Sequence, residues 1–511
     1  MAQGAVFKLV LRDDRFDKYF TATDLLKSRI DAIRDLRANT ATPNHQPTFS
    51  DIERSHLLYI RSSYRPYVNI ASEYTRIKAS GDGTSSIGPA GGTIQFTIPT
   101  YGQFTSDMAI HIKFKAIGTQ SPIEGSPYFR YCALPGVRMF KNISLRSDQV
   151  IIDEYTPDDV IAHSKFFVRA DQRTSWERCN GQQEAKEASF YSNEYTGTFI
   201  YRDGPQTPKT YHEGFDIYAP LQFWCCGDVS HALLNAATAT SQRTVTCELA
   251  PISDIVQALS YTPNNINPFD VLADLPLTKL EFQVFLYVNN LFVNPEIYDI
   301  FASRVGFSLI RVHRRQINQI QHAKGSFLLD QLKFPAEYLM VGIRNRQLVN
   351  DFDRWWLMGT PAIRINTNSL TGDQIIPSPG GVVQLFRIAR ETSTLENVVD
   401  TIGVTAHGVE IFAPLPSLFY NAYMPFRYPE SSMVVAPVDA CAFLVNFCLY
   451  PGKFNPSGYY NLSAGREMYI NYSLKDFYSS ITGGEFEMVI SMSALNFIIR
   501  NEDRLHLRYS L

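Results

Sequence analysis

The residues able to carry chemistry are scattered along this chain. Ten histidines stand at 45, 56, 111, 163, 212, 231, 313, 322, 407 and 506, and none pairs with another His or a Cys at metal-ligand spacing on one element. The densest carboxylates are Asp153-Glu154 and Asp158-Asp159. Neighbours on a strand point to opposite faces, so each pair is a poor acid–base couple. The sequence holds no nucleophile elbow, zincin motif, Walker loop or dinucleotide fingerprint. GDGTSS (81–86) has the composition of a phosphate cradle, but it stands between strand patterns, so a hairpin turn is expected. RVHRR (311–315) is the notable basic cluster. On a strand Arg311, His313 and Arg315 share one side, and a solvated or inter-subunit sheet face is expected there. His111 and His407, inside strand patterns, read as hydrogen-bonded structural histidines. The sequence therefore predicts no catalytic, cofactor-binding or metal-ligating residue, no cofactor, and no enzyme.

The elements around these residues are mostly strands. Residues 1–60 are the helical part: Thr21 and Asp24 open DLLKSRIDAIRDLR, where Leu26, Ile30 and Ile33 share a face, and Ser50 with Glu53 opens a second short helix. From Tyr64 the period becomes two. Strand patterns include YVNIASEYTRIKA, TIQFTIP, MAIHIKFKAI, MFKNISLRSDQVIIDEY, HSKFFVRA, FDIYAPLQFWCC, RTVTCELA and TKLEFQVFLYV. A long polar loop is expected around 171–210. At 294 the organisation starts again: Asn294 caps, Pro295 suits the first helical position, and VGFSLIRVHRRQI begins a strand. EYLMVGIR, RWWLMG, VVQLFRIAR, TIGVTAHGVEIF, CAFLVNFCLY, EMYINYSL and GEFEMVISMSALNFIIR follow as strands. The internal symmetry is one half against the other, two all-β units in tandem.

Composition agrees. At 511 residues the chain exceeds one core, and its 34 Phe and 28 Tyr can fill two. Lys and Arg (47) nearly balance Asp and Glu (50), so there is no excess of cations for wrapping nucleic acid, and 1–60 is not a basic arm. Seven cysteines at irregular spacing, most in apolar runs, predict free thiols and a reducing compartment. MAQGAVFKLVLRDDR does not read as a secretory leader, and no apolar run is long enough for a membrane span. The sequons at Asn142, Asn461 and Asn471 are then chance matches.

Several words in order resemble one family. PLQFWCCGDVSHALLNAATATSQRTVTCEL (220–249), LPGVRMFKNISLRSDQVIIDEY, NPSGYYNLSAGREMYINYS (455–473) and the final MSALNFIIRNEDRLHLRYS resemble the major capsid proteins of nucleocytoplasmic large DNA viruses. Within that family DLLKSRI, GPQTPKTY, VNNLFVNPEIYDIFASRVGFSLIRVH and VTAHGV look like the African swine fever virus type, from which this chain departs by shorter loops in its first half. The resemblance implies an all-β tandem double jelly roll, two eight-stranded sandwiches with a short partly helical N-terminal base: 1–60 base, 61–290 first roll, 291–511 second roll. It implies a structural protein of the virion capsid, made and assembled in the host cytoplasm. Expected partners are two further copies in a homotrimer, neighbouring capsomers, minor capsid and penton proteins, and inner viral membrane proteins, with no direct nucleic acid binding. The competing reading is a carbohydrate-binding or carbohydrate-cleaving β-sandwich, resting on Trp176 and the tyrosines of 171–210.

Overall fold

The computed structural model describes residues 70–509 except 81–83, 149, 183–184, 192–195, 203, 236–241, 262–268, 296–297, 299–306, 362–394, 429–432, 454, 463–466, 476–484 and 502–503. The expected helical base 1–60 and the strand pattern VVQLFRIAR (382–390) lie outside the described residues.

Eight strands form the first unit: β1 (Ile70–Lys78), β2 (Gly92–Ile98), β3 (Phe104–Phe114), β4 (Phe140–Ser147), β5 (Val150–Tyr155), β6 (Asp216–Pro220), β7 (Arg243–Leu249) and β8 (Leu280–Val293). They pair antiparallel in two sheets, β1-β8-β3-β6 and β2-β7-β4-β5. Eight more follow: β9 (Phe307–Ile320), β10 (Lys324–Leu328), β11 (Pro335–Asn345), β12 (Val399–Ala406), β13 (Val409–Pro416), β14 (Ala442–Asn446), β15 (Met468–Leu474) and β16 (Phe486–Asn501). Their sheets are β9-β16-β11-β14 and β10-β15-β12-β13. Numbered from the start of each unit, both read 1-8-3-6 and 2-7-4-5. That order is a jelly roll, made twice. No ladder among the described residues joins a strand of one roll to a strand of the other.

Alternation builds each core. Leu280, Phe282, Val284, Leu286 and Val288 of β8 face inward with Ile110, Ile112 and Phe114 of β3, against Phe96 of β2 and Val245 of β7. In the second roll Leu339, Val341 and Ile343 lie beside Met492, Ile490 and Met488, against Ile402, Val404 and Ile470. Each such side chain contributes about 1.5–3 kcal/mol by leaving water.

Four local readings differ from the sequence expectation. Thr84–Ile87 is a strand that continues the line of β1 along β8, so GDGTSS is not a hairpin turn; the tight turn is at Gly88–Gly91, where Gly91 N–H donates to the Gly88 carbonyl at 3.1 Å. HSKFFVRA belongs largely to helix α1 (Pro157–Phe167). Thr156 precedes it, Pro157 sits at its first position, and Asp159 accepts from the Thr156 N–H at 2.9 Å, a combination that fixes a helix start. The expected loop after 171 begins with helix α2 (Ala170–Cys179) and continues into a hairpin of Ala185–Tyr191 with Thr196–Arg202. RWWLMG is a turn, and Met358 within it lies over Gly342 of β11; a Cβ on that glycine would come 2.5 Å from Met358 Sδ.

Candidate functional site: the charged seam between the rolls

The basic strand RVHRR has its partners inside the chain. It lies in β9, where Arg311, His313 and Arg315 stand opposite Leu495, Ser493 and Ser491 of β16. That is the outer face of the sheet, since Met492 and Ile490 between them point into the core. The first roll covers this face with β5 and α1.

Asp153, at the end of β5, makes the central contact. Its Oδ1 accepts the His313 backbone N–H at 2.8 Å and its Oδ2 lies 2.9 Å from His313 Nδ1. Glu154, next along the strand, turns away and accepts from Asn142 within the first roll. Arg344 of β11 bridges Asp158 of α1 at 2.8 Å and Glu487 of β16 at 2.7 Å. Arg315 bonds the Thr156 hydroxyl and stands 3.7 Å from Asp158. Ser491 donates to Asp159 at 2.6 Å. Arg311 forks onto Glu337 through Nε (2.6 Å) and Nη2 (3.1 Å), and its Nη1 reaches Nε2 of His231 at 3.0 Å. At the far end of α1, Lys165 meets Asp439 at 2.7 Å and lies over the Trp356 ring. A second set flanks this one. Trp355 Nε1 donates to the Ala133 carbonyl at 2.8 Å, Arg138 donates to the Asp351 carbonyl at 3.0 Å, and Arg130 pairs with Asp353 at 3.0 Å.

Burial sets the electrostatics. Asp153, Asp159, Lys165, Glu337 and Arg344 are all buried. Burial opposes the charge on His313, but Asp153 and Asp159 outweigh it and hold the imidazole above its ordinary value. His163 of α1 lacks such a carboxylate: burial, with the His313 charge, pushes it down to about 4. Burial lowers Lys165 against the opposing pull of Asp439. A buried pair gains little over an apolar pair, but removing one partner costs about 3–5 kcal/mol. The seam therefore specifies one orientation of the rolls. Its chemistry is positional: among the described residues no group of His, Cys, Asp and Glu is placed to hold a metal ion.

The alternation of RVHRR was legible; its burial against the first roll was not. Asp153, Asp159, Lys165, Glu337 and Arg344 were missed as partners. The Thr-Pro-Asp-Asp run at 156–159 was the available signal, because it marks a helix start. The remaining residues stay apart. His111 stacks on Tyr218 with ring centres 4.3 Å apart, and its Nε2 is 3.5 Å from Asp216. His407 lies in the β12–β13 turn at φ 53°, not inside a strand. Trp176 is half-buried on α2, packed against the core. All seven cysteines are free. No described helix is long and apolar enough to cross a membrane.

Comparison with known proteins places this architecture. No family model matches the chain. The major capsid protein of African swine fever virus is 27% identical over 660 aligned positions covering 100% of both chains. The Faustovirus major capsid protein superposes with a TM-score of 0.69 at 25% identity, over 96% of this chain and 100% of that one. A PBCV-1 capsid structure gives a TM-score of 0.60 at 16% identity over 88% of this chain and 98% of that one, which speaks to fold. With its two jelly rolls and its full-length relationship to the African swine fever virus protein, the chain is a double jelly-roll major capsid protein of a large double-stranded DNA virus.

Proposed function

We propose that three copies of the chain form a capsomer whose six similar rolls make a pseudo-hexagonal block, and that these blocks tile the icosahedral shell. The observation that carries this reading is the pairing of two rolls of identical strand order through buried ion pairs. Two like walls per chain, repeated by a closed threefold axis, give six near-equivalent sides. A rigid seam keeps those sides at fixed angles, which a lattice of many copies needs.

The division between the rolls, expected at 290, is placed at the end of β8, after Val293. Residues 1–60 serve as the base, facing the particle interior. Neighbouring capsomers, minor capsid and penton proteins and inner viral membrane proteins are the partners, and nucleic acid is not one, consistent with the balanced charge. Free cysteines throughout fit assembly in a reducing cytoplasm. The carbohydrate reading has little support, since Trp176 is packed against the core and not presented on a loop. Negative-stain microscopy of the purified protein tests the proposal. It predicts particles of hexagonal outline with a central threefold axis; elongated single chains with two lobes would contradict it.

A further inference from the structure

The first roll carries an uncovered copy of the face that the seam buries in the second. In the second roll the outer face of β9-β16-β11-β14 is covered by α1, the helix that follows the fifth strand of the first roll. The equivalent face of the first roll is the outer side of β1-β8-β3-β6. Register places Lys78, Phe285, His111 and Tyr218 in one row across it, with Arg76, Tyr287 and Ala109 in the next. His111 stacks on Tyr218, and Arg76 lies over the Phe285 ring at 4.8 Å. Tyr74 is 55% and Tyr218 44% exposed, and no described segment of the chain takes the place over them that α1 takes on the second roll.

The second roll has a counterpart of α1. Its own fifth strand, β13, is followed by the helical segments Phe419–Tyr423 and Met424–Arg427. Where α1 is buried, this segment is open: Leu418 is 68%, Phe426 84% and, just beyond, Val438 81% exposed.

We propose that the segment around Leu418, Phe426 and Val438 of one copy docks on the β1-β8-β3-β6 face of the next, repeating between chains the packing that α1 makes within one. The inference rests on the three-chain reading above and supplies its contact surfaces. The occupant is a second copy because the intramolecular seam already joins the same two structural positions. The contact is head-to-tail, so it generates a closed ring when the rotation is a third of a turn. Its chemistry differs from the seam. Aromatic rings and aliphatic side chains meet there in place of ion pairs, so the contact between chains is far less sensitive to salt.

Two measurements on the full-length protein test this. A benzoylphenylalanine photo-crosslinker replaces Phe426, and the cross-linked peptides are mapped. Attachment to another chain within 74–78, 107–111, 216–220 or 283–287 is expected; attachment only within the same chain, or elsewhere on a neighbour, overturns the proposal. Alongside, Phe426→Glu and Tyr218→Glu are compared with Ile123→Glu, an exposed apolar site on neither surface, 81% exposed. The first two are expected to shift the native mass from three chains to one with an unchanged circular dichroism spectrum, and Ile123→Glu to leave it at three. A trimeric Phe426→Glu protein overturns the docking surface but leaves the capsomer reading intact. A wild-type protein that is itself monomeric overturns both.

Discussion

β3 and β11 hold the same place in their rolls, third along the chain and third in the sheet, yet they are buried differently. β3 alternates: Met108, Ile110, Ile112 and Phe114 are buried, while Asp107, Ala109 and His111 are only half-covered and Lys113 is exposed. β11 is buried from Pro335 to Arg344. One sheet covered on one side and its twin covered on both are the two ways a strand sequence can read. The difference shows what the chain does with its symmetry. One covered outer face joins the rolls; the other is left for contacts beyond the chain.

The largest effects should come from the two cores. Phe282→Ala in β8 and Phe443→Ala in β14 each remove a fully buried ring and should cost about 3–5 kcal/mol. If the seam makes the rolls one body, each variant shifts a single calorimetric transition. Two transitions, each moved by one variant only, would break that picture.

Matched changes on the outer faces sharpen it. Arg344→Met leaves Asp158 and Glu487 without their shared cation and should cost about 3 kcal/mol, splitting the transition in two. Arg76→Met, on the uncovered face of the first roll, should change the stability of the isolated chain by less than about 0.5 kcal/mol. Equal effects of the two in denaturant titrations would erase the distinction between covered and open faces.

The seam histidines should respond to pH with opposite signs. His163 titrates near 4 when folded and near ~6.5 when unfolded, so its neutral form favours the fold above ~6.5. That contribution, at most about 3 kcal/mol, is lost as pH falls from ~6.5 to about 4. His313 is raised, so its contribution is complete below ~6.5 and is lost as pH rises through its folded value. His163→Phe should therefore reduce the loss of Tm on the acid side, and His313→Gln should remove stability near pH 6 but not well above it. The smallest effect is expected at the surface. Glu281, held down to about 2 by its hydrogen bonds to Lys115 and Lys279, lies in an exposed pair, and Glu281→Gln should leave Tm unchanged.

Much of the fold was legible because strands declare themselves by alternation. Glu281, Gln283, Phe285 and Tyr287 interleave with inward Phe282, Val284 and Leu286, and the same pattern recurs in β16. The restart after 290 was readable from Asn294 and Pro295; Pro295 is helical, and Tyr298 N–H donates to the Asn294 carbonyl at 3.0 Å. What stayed hidden was long-range. HSKFFVRA mixes aromatic and polar residues in a way either a strand or a helix accepts, and the Thr156–Asp159 start decides for helix. RWWLMG is rich in strand formers, but its rings and Met358 cover the outer face of β11, which fixes it as a turn. For RVHRR the spacing gave the shared side correctly. Its carboxylate partners, Asp153, Asp158 and Glu337, lie far away in sequence, and no local pattern points to them.

The central claim is that this chain is built to close with two copies of itself and needs no ligand to do so. Light scattering on the purified native protein, at micromolar concentration and over moderate salt with no added metal or nucleotide, tests it most directly. The account predicts the mass of three chains throughout that range. A stable, soluble single chain with no tendency to form hexagonal arrays would contradict it.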